Sequence, residues 1–114
     1  MALTLDSDRV RRAQGALLGL AVGDALGTTL EFTPALDPFT PRVTQITGGG
    51  PFRLPPGGWT DDTSMALCLA WSLVATGVCD SRDQMERYAR WWKNGENSVT
   101  GRCFDIGNTM RAAL

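Results

Sequence analysis

All six prolines of this 114-residue chain fall between Pro34 and Pro56, and that clustering decides where helices can run. Proline fixes φ and lacks the N–H that a helix interior needs, so no long helix can cross residues 28–59. The same segment holds GGGP at 48–51 and LPPGG at 54–58, both of them turn chemistry. A loop of this length inside a compact domain is uncommon and, where it occurs, often carries function. The flanking stretches are free of proline and show helical periodicity.

Four helices are predicted. The first runs from about Asp8 to Leu26, with Asp6 or Ser7 as N-cap. Val10, Ala13, Leu17 and Leu20 form its apolar stripe. The next position on that stripe is Asp24, and a carboxylate there must find a donor, a cation or water. Gly15, Gly19, Gly23 and Gly27 recur every four residues on another face. Each costs roughly 1 kcal/mol in a helix interior relative to alanine, so the spacing implies close approach of a backbone or a ligand, with tight packing in a soluble helical bundle the plainer reading.

The second helix runs from Thr60 to about Thr76, with Gly77 closing it. From Met65 to Ala75 its one polar residue is Ser72, the pattern of a helix buried in the middle of a bundle. The third spans about Arg82–Asn94. Ser81 and Gln84 fit a capping box, Met85, Tyr88, Ala89 and Trp92 share a face, and Gly95 stops it. The fourth begins near Asp105 and is still running at Leu114, a pattern that predicts a fragment of a longer domain. The fold class is therefore all-α, with residues 1–114 forming part of a single domain.

Composition narrows the chemistry. The net charge is −1, with no run of lysine or arginine, which argues against a nucleic-acid or membrane-surface binder. Cys68, Cys79 and Cys103 are an odd number with no CxxC pair, pointing to a reduced, cytoplasmic protein rather than a disulfide framework. The amino end is charged where a secretory signal needs its apolar core. There is no histidine, which excludes His-based zinc sites, Ser-His-Asp triads and histidine general bases.

A metal would most naturally sit in oxygen ligands, and GGWTDDTSM at 57–65 offers them. On one reading Thr60 caps the second helix through its hydroxyl, while Asp61 and Asp62 complement the helix dipole in the first turn. On the other, the adjacent carboxylates hold a hard cation such as Mg²⁺ or Mn²⁺, which removes the repulsion that capping alone leaves. Glu31 is a loop acid or a further member of such a site. Asp105 is an N-cap or part of an anion-facing helix terminus, with Phe104 beside it to stack on a base.

Three segments together resemble one family. GALLGLAVGDALGTTLEF (15–32), GGWTDDTSMAL (57–67) and GRCFDIGNTMRAAL (101–114) look like the signature blocks of the ADP-ribosylglycohydrolase family, in the same order. The resemblance implies an all-α fold with a binuclear Mg²⁺ or Mn²⁺ centre in a cleft. It implies hydrolysis of the bond between ADP-ribose and a protein side chain or small acceptor. It assigns Thr60, Asp61 and Asp62 to the metal, Glu31 to a loop near it, and Phe104, Asp105 and Gly107 to the ADP-ribose cleft, with Asp24 structural or beyond the ligands. Glu31 or Asp105 would move the proton. The family completes its metal site with a further aspartate-rich motif that this chain does not contain. A non-catalytic ADP-ribose-binding relative, or an inactive helical fragment, is the competing reading.

Overall fold

The structure is a computed structural model that describes residues 6–35, 38 and 42–114. Residues 1–5 and Pro41, on which the signal-peptide and proline readings partly rest, lie outside that set. Among the described residues four helices follow one another: α1 (Ser7–Gly27), α2 (Asp61–Thr76), α3 (Ser81–Asn94) and α4 (Asn108–Ala113). A 3₁₀ turn at Thr28–Leu30 extends α1. Among the described residues the long loop contributes one isolated antiparallel bridge, Gly49 to Leu54, and no strand. No described helix is long and apolar enough to cross a membrane.

Local chemistry explains the boundaries. Asp6 starts α1 by accepting the Asp8 N–H at 3.1 Å. Gly77, at φ 70°, closes α2 in the left-handed conformation. For α3 the capping residue is Asp80, whose carboxylate accepts from the N–H groups of Arg82 and Asp83. Ser81 is already the first helical residue, so the expected Ser81–Gln84 capping box does not form. Gln84 instead reaches the Cys79 sulfur at 3.5 Å. Gly95 stops α3 at φ 73°, where a Cβ would stand 2.1 Å from the Gly101 carbonyl oxygen.

The proline-rich loop is fastened to the end of α1. Thr29 Oγ1 donates to the Gly48 carbonyl at 3.1 Å. Gly50, at φ 68°, lies so close that a Cβ would stand 2.5 Å from the Thr28 carbonyl oxygen. Its far end is tied down by Trp59, whose indole N–H donates to the Asn97 carbonyl at 3.1 Å.

Packing departs from the sequence reading in a consistent way. α2 packs on α1 and on α3, and the residues it buries are Thr63, Ser64, Cys68 and Ser72. Its large apolar side chains point elsewhere: Leu69, Trp71, Leu73 and Val74 are exposed, Val74 to 76%. α2 is thus not enclosed on all sides by the described chain, because two helix neighbours cover only part of an all-apolar cylinder. α1 buries only Ala25, while Leu17 and Leu20 of its expected stripe are exposed. Among the described residues nothing comes within 4 Å of where a Cβ would stand at glycines 15, 19, 23 and 27, so the described chain does not supply the tight packing expected of them. On α3 the buried anchor is Trp91, one position from the expected Trp92. Its ion pair Arg87–Asp83, at 2.7 Å, holds the Asp83 carboxyl below its usual range.

The cap assignment is directly testable. Asp80→Ala should destabilise the fold by about 1 kcal/mol, whereas Ser81→Ala should stay within about 0.5 kcal/mol, both read from chemical denaturation. The reverse order would restore the capping box.

Candidate functional site

The first turn of α2 sets the site. Thr60 is the N-cap residue, with extended φ −108° and ψ −154°, but its hydroxyl makes no bond to the N–H groups of the first turn. The expected self-cap is absent because a better acceptor arrives from α1. Asp24 accepts the Thr60 N–H at 2.9 Å and the Thr63 N–H at 3.1 Å. It also accepts the hydroxyls of Thr60 and Thr63, at 2.8 and 2.7 Å. The carboxylate that interrupted the apolar stripe of α1 thus finds its donors, and it does so across 36 residues.

Between those anchors stand Asp61 and Asp62. A cleft of about 380 Å³ is lined by both of them together with Glu31, Phe32, Asp105, Ile106, Gly107 and Asn108. An adjoining cleft of about 430 Å³ shares Glu31 and Asp62 and extends along Gly19, Gly23 and Gly27 to Asp24 and Thr60. Four acids from three separate stretches of the sequence therefore face one space, and no lysine or arginine is among its described lining residues.

The electrostatics follow from that crowding. Burial pushes the Glu31 carboxyl above its ordinary value, and the charges of Asp105, Asp61, Asp62 and Asp24 add to it. Asp62 is raised by burial and then by Asp61 and Asp24. Asp105 is raised by burial and then by its neighbour Asp61. Like charges drawn together with no cationic side chain suit a hard cation, and the donors are all oxygen. Among the described residues, however, no three acid, cysteine or histidine side chains converge tightly enough to enclose an ion. The set fits such a cation in chemistry and is open in geometry.

Two sequence expectations need correction here. Asp105 does not start α4, which begins three residues later at Asn108 with Gly107 in the N-cap position. Asp105 lies in the loop before it, and the helix of six residues offers no anion site of the kind expected. The loop geometry is what turns Asp105 towards Asp61. Sequence reasoning singled out Phe104 but missed its companions. Phe104 packs against Phe52 at 5.1 Å, and Phe52 meets Phe32 edge-on at 6.0 Å. Phe32 follows Glu31 directly, with φ 61° and 77% exposure. A bulky residue at positive φ is strained, and its place beside an acid in a long loop was the available signal.

The raised acids give a signed pH dependence. Each holds its proton more tightly in the folded state, so their contribution to stability grows as pH falls through the folded-state pKa values towards the ordinary 3.8 and 4.5, and is smallest above them. Carboxyl ¹³C titration should place Asp62 and Asp105 above 3.8 and Glu31 above 4.5. Midpoints at or below those values would show that the cluster is not crowded.

Comparison with known proteins adds an independent line. The ADP-ribosylglycohydrolase family profile matches residues 5–114. An ADP-ribosylarginine hydrolase Tri1 of Serratia proteamaculans is 58% identical, over 96% of this chain and 29% of that protein. The ADP-ribosyl-[dinitrogen reductase] glycohydrolase of Rhodospirillum rubrum is 46% identical, over 90% of this chain and 33% of its own length. A solved ADP-ribosylglycohydrolase-related protein complex superposes with a TM-score of 0.67 at 57% identity, over 75% of this chain and 29% of that one. The chain spans about a third or less of each of these proteins. On the family match along nearly its whole length, the chain belongs to the ADP-ribosylglycohydrolase family.

Proposed function

We propose that the intact protein is a metal-dependent hydrolase of the glycosidic bond between ADP-ribose and an acceptor. The observation that carries this is the convergence of Glu31, Asp61, Asp62 and Asp105 on one cleft without a cationic side chain. Thr60, Asp61 and Asp62 would hold Mg²⁺ or Mn²⁺, two ions in the complete site. Bound there, the metal supplies Lewis acidity towards the ribose and lowers the pKa of water. The Serratia proteamaculans relative is named for ADP-ribosylarginine, so a protein arginine is the favoured acceptor, with a small ADP-ribose derivative the alternative.

The chain's own residues divide the remaining work. Asp105 or Glu31 takes a proton from the attacking water; both are raised acids at the cleft wall, and a base closer to the working pH transfers protons more effectively. Gly107 lines the side where ADP-ribose would lie, and Phe104, packed against Phe52 next to it, would supply a ring for stacking. Cys68, fully buried with Asn97 Nδ2 at 3.4 Å from its sulfur, suits a reduced thiol and a cytoplasmic setting.

A non-catalytic ADP-ribose-binding protein is the second reading, favoured by the open ligand geometry. Turnover separates the two. In the intact protein, Asp61→Asn or Asp62→Asn should lower turnover of ADP-ribosylarginine by a factor of about 10² or more and weaken Mn²⁺ binding in calorimetry. Unchanged turnover would sink the metal assignment. Metal-dependent ADP-ribose binding without turnover in the unaltered protein would establish the second reading.

A further inference from the structure

The Asp24 side chain accepts more hydrogen bonds than the side chain of any residue assigned to the chemistry, yet it is suited to none of the chemical roles. An ionised carboxylate offers about four lone-pair sites, and here four donors occupy them: the N–H groups of Thr60 and Thr63 and the hydroxyls of the same two residues. Oδ2 accepts three of these donors, and Oδ1 accepts the Thr60 hydroxyl and shares the Thr60 N–H at 3.2 Å, which leaves Asp24 poorly placed to bind a cation or relay a proton. What it controls is the backbone on either side of Asp61 and Asp62. α2 has no capping side chain of its own, so the geometry of its first turn is fixed from α1.

The hydroxyl of Thr60 is constrained as well. A threonine hydroxyl has one proton and two lone pairs. Asp24 Oδ1 takes that proton at 2.8 Å, so the Thr60 oxygen is left as an acceptor only. Thr63, which is buried, donates its own hydroxyl proton to Asp24 Oδ2 at 2.7 Å and anchors the far side of the turn.

We infer that Asp24 is a positioning residue: it caps α2 from another helix, holds Asp61 and Asp62 between two fixed threonines, and orients the Thr60 hydroxyl with its lone pairs free for a cation. The last element rests on the cation reading proposed above; the first two do not. Thr63 acts only through Asp24, which gives the inference a second handle.

The experiment compares Asp24→Asn and Thr63→Val with the unaltered intact protein. Amide hydrogen exchange reports the cap without any metal, and Mn²⁺ binding by electron paramagnetic resonance reports the consequence. Asp24→Asn should speed exchange of the Thr60 and Thr63 N–H groups by about tenfold or more, since hydrogen bonds to a charged acceptor are lost. It should also weaken Mn²⁺ binding by about tenfold or more while far-UV circular dichroism retains the helix content. Thr63→Val, which removes one hydroxyl donor and keeps the N–H, should weaken Mn²⁺ binding in the same direction by a smaller factor. Should Asp24→Asn fail to fold, Thr63→Val decides the question, and Mn²⁺ affinity equal to the unaltered protein's would overturn the inference. Unchanged exchange at Thr60 and Thr63 in folded Asp24→Asn would overturn it too. If the unaltered protein binds no Mn²⁺, the cation reading falls, and exchange at the two threonines still decides the role of Asp24.

Discussion

One carboxylate joins the two helices that carry the site. Asp24 ends the apolar stripe of α1 and receives the backbone and hydroxyl donors of Thr60 and Thr63 at the mouth of α2. Helix N-termini leave their first N–H groups without partners, and the nearest side chain normally satisfies them. Supplying that acceptor from 36 residues away couples the end of α1 to the start of α2. Glu31, four residues beyond Gly27, then comes to face Asp61 and Asp62. The loop glycines complete the arrangement: Gly50 lets the backbone lie against Thr28, Thr29 pins Gly48, and Phe52 comes to rest against Phe32 of the cleft wall.

Much of the fold was legible because its signals are local. Proline clustering, capping acids and closing glycines placed α1, α2 and α3 within a residue or two. Capping partners were harder to read. The sequence reading takes Ser81 as the cap of α3, and the backbone geometry gives that role to the preceding Asp80 instead. Thr60 carries every local mark of a self-capping residue, and the acceptor that displaces its hydroxyl lies in another helix. The site residues themselves were found through motif blocks. Their convergence was not readable, because nothing in the spacing of Glu31, Asp61 and Asp105 says that a loop brings the last of them to the first turn of α2. The start of α4 was misplaced for the same reason: an aspartate before a helix reads as its cap, and here it serves the cleft.

Packing gives a second physical lesson. The sequence of α2 is apolar all round, which reads as burial on every face. The faces actually covered carry Thr63, Ser64, Cys68 and Ser72, small residues that allow α1 and α3 to come close, while Trp71 and Val74 remain exposed. Among the described residues the apolar surface on α1 and α2 stays exposed and the ligand geometry of the acids stays open. The chain spans only 29% to 33% of its compared relatives.

On the proposed reading Asp61 and Asp62 face a cation, while Asp24, bonded to the threonines on either side of them, is kept out of its ligand shell. Anomalous diffraction from Mn²⁺-loaded crystals of the intact protein tests this most directly. The account predicts a manganese peak within coordinating distance of the Thr60 hydroxyl and the Asp61 and Asp62 carboxylates, with Asp24 still bound to Thr60 and Thr63. A peak coordinated by Asp24, or one remote from Asp61 and Asp62, would contradict it.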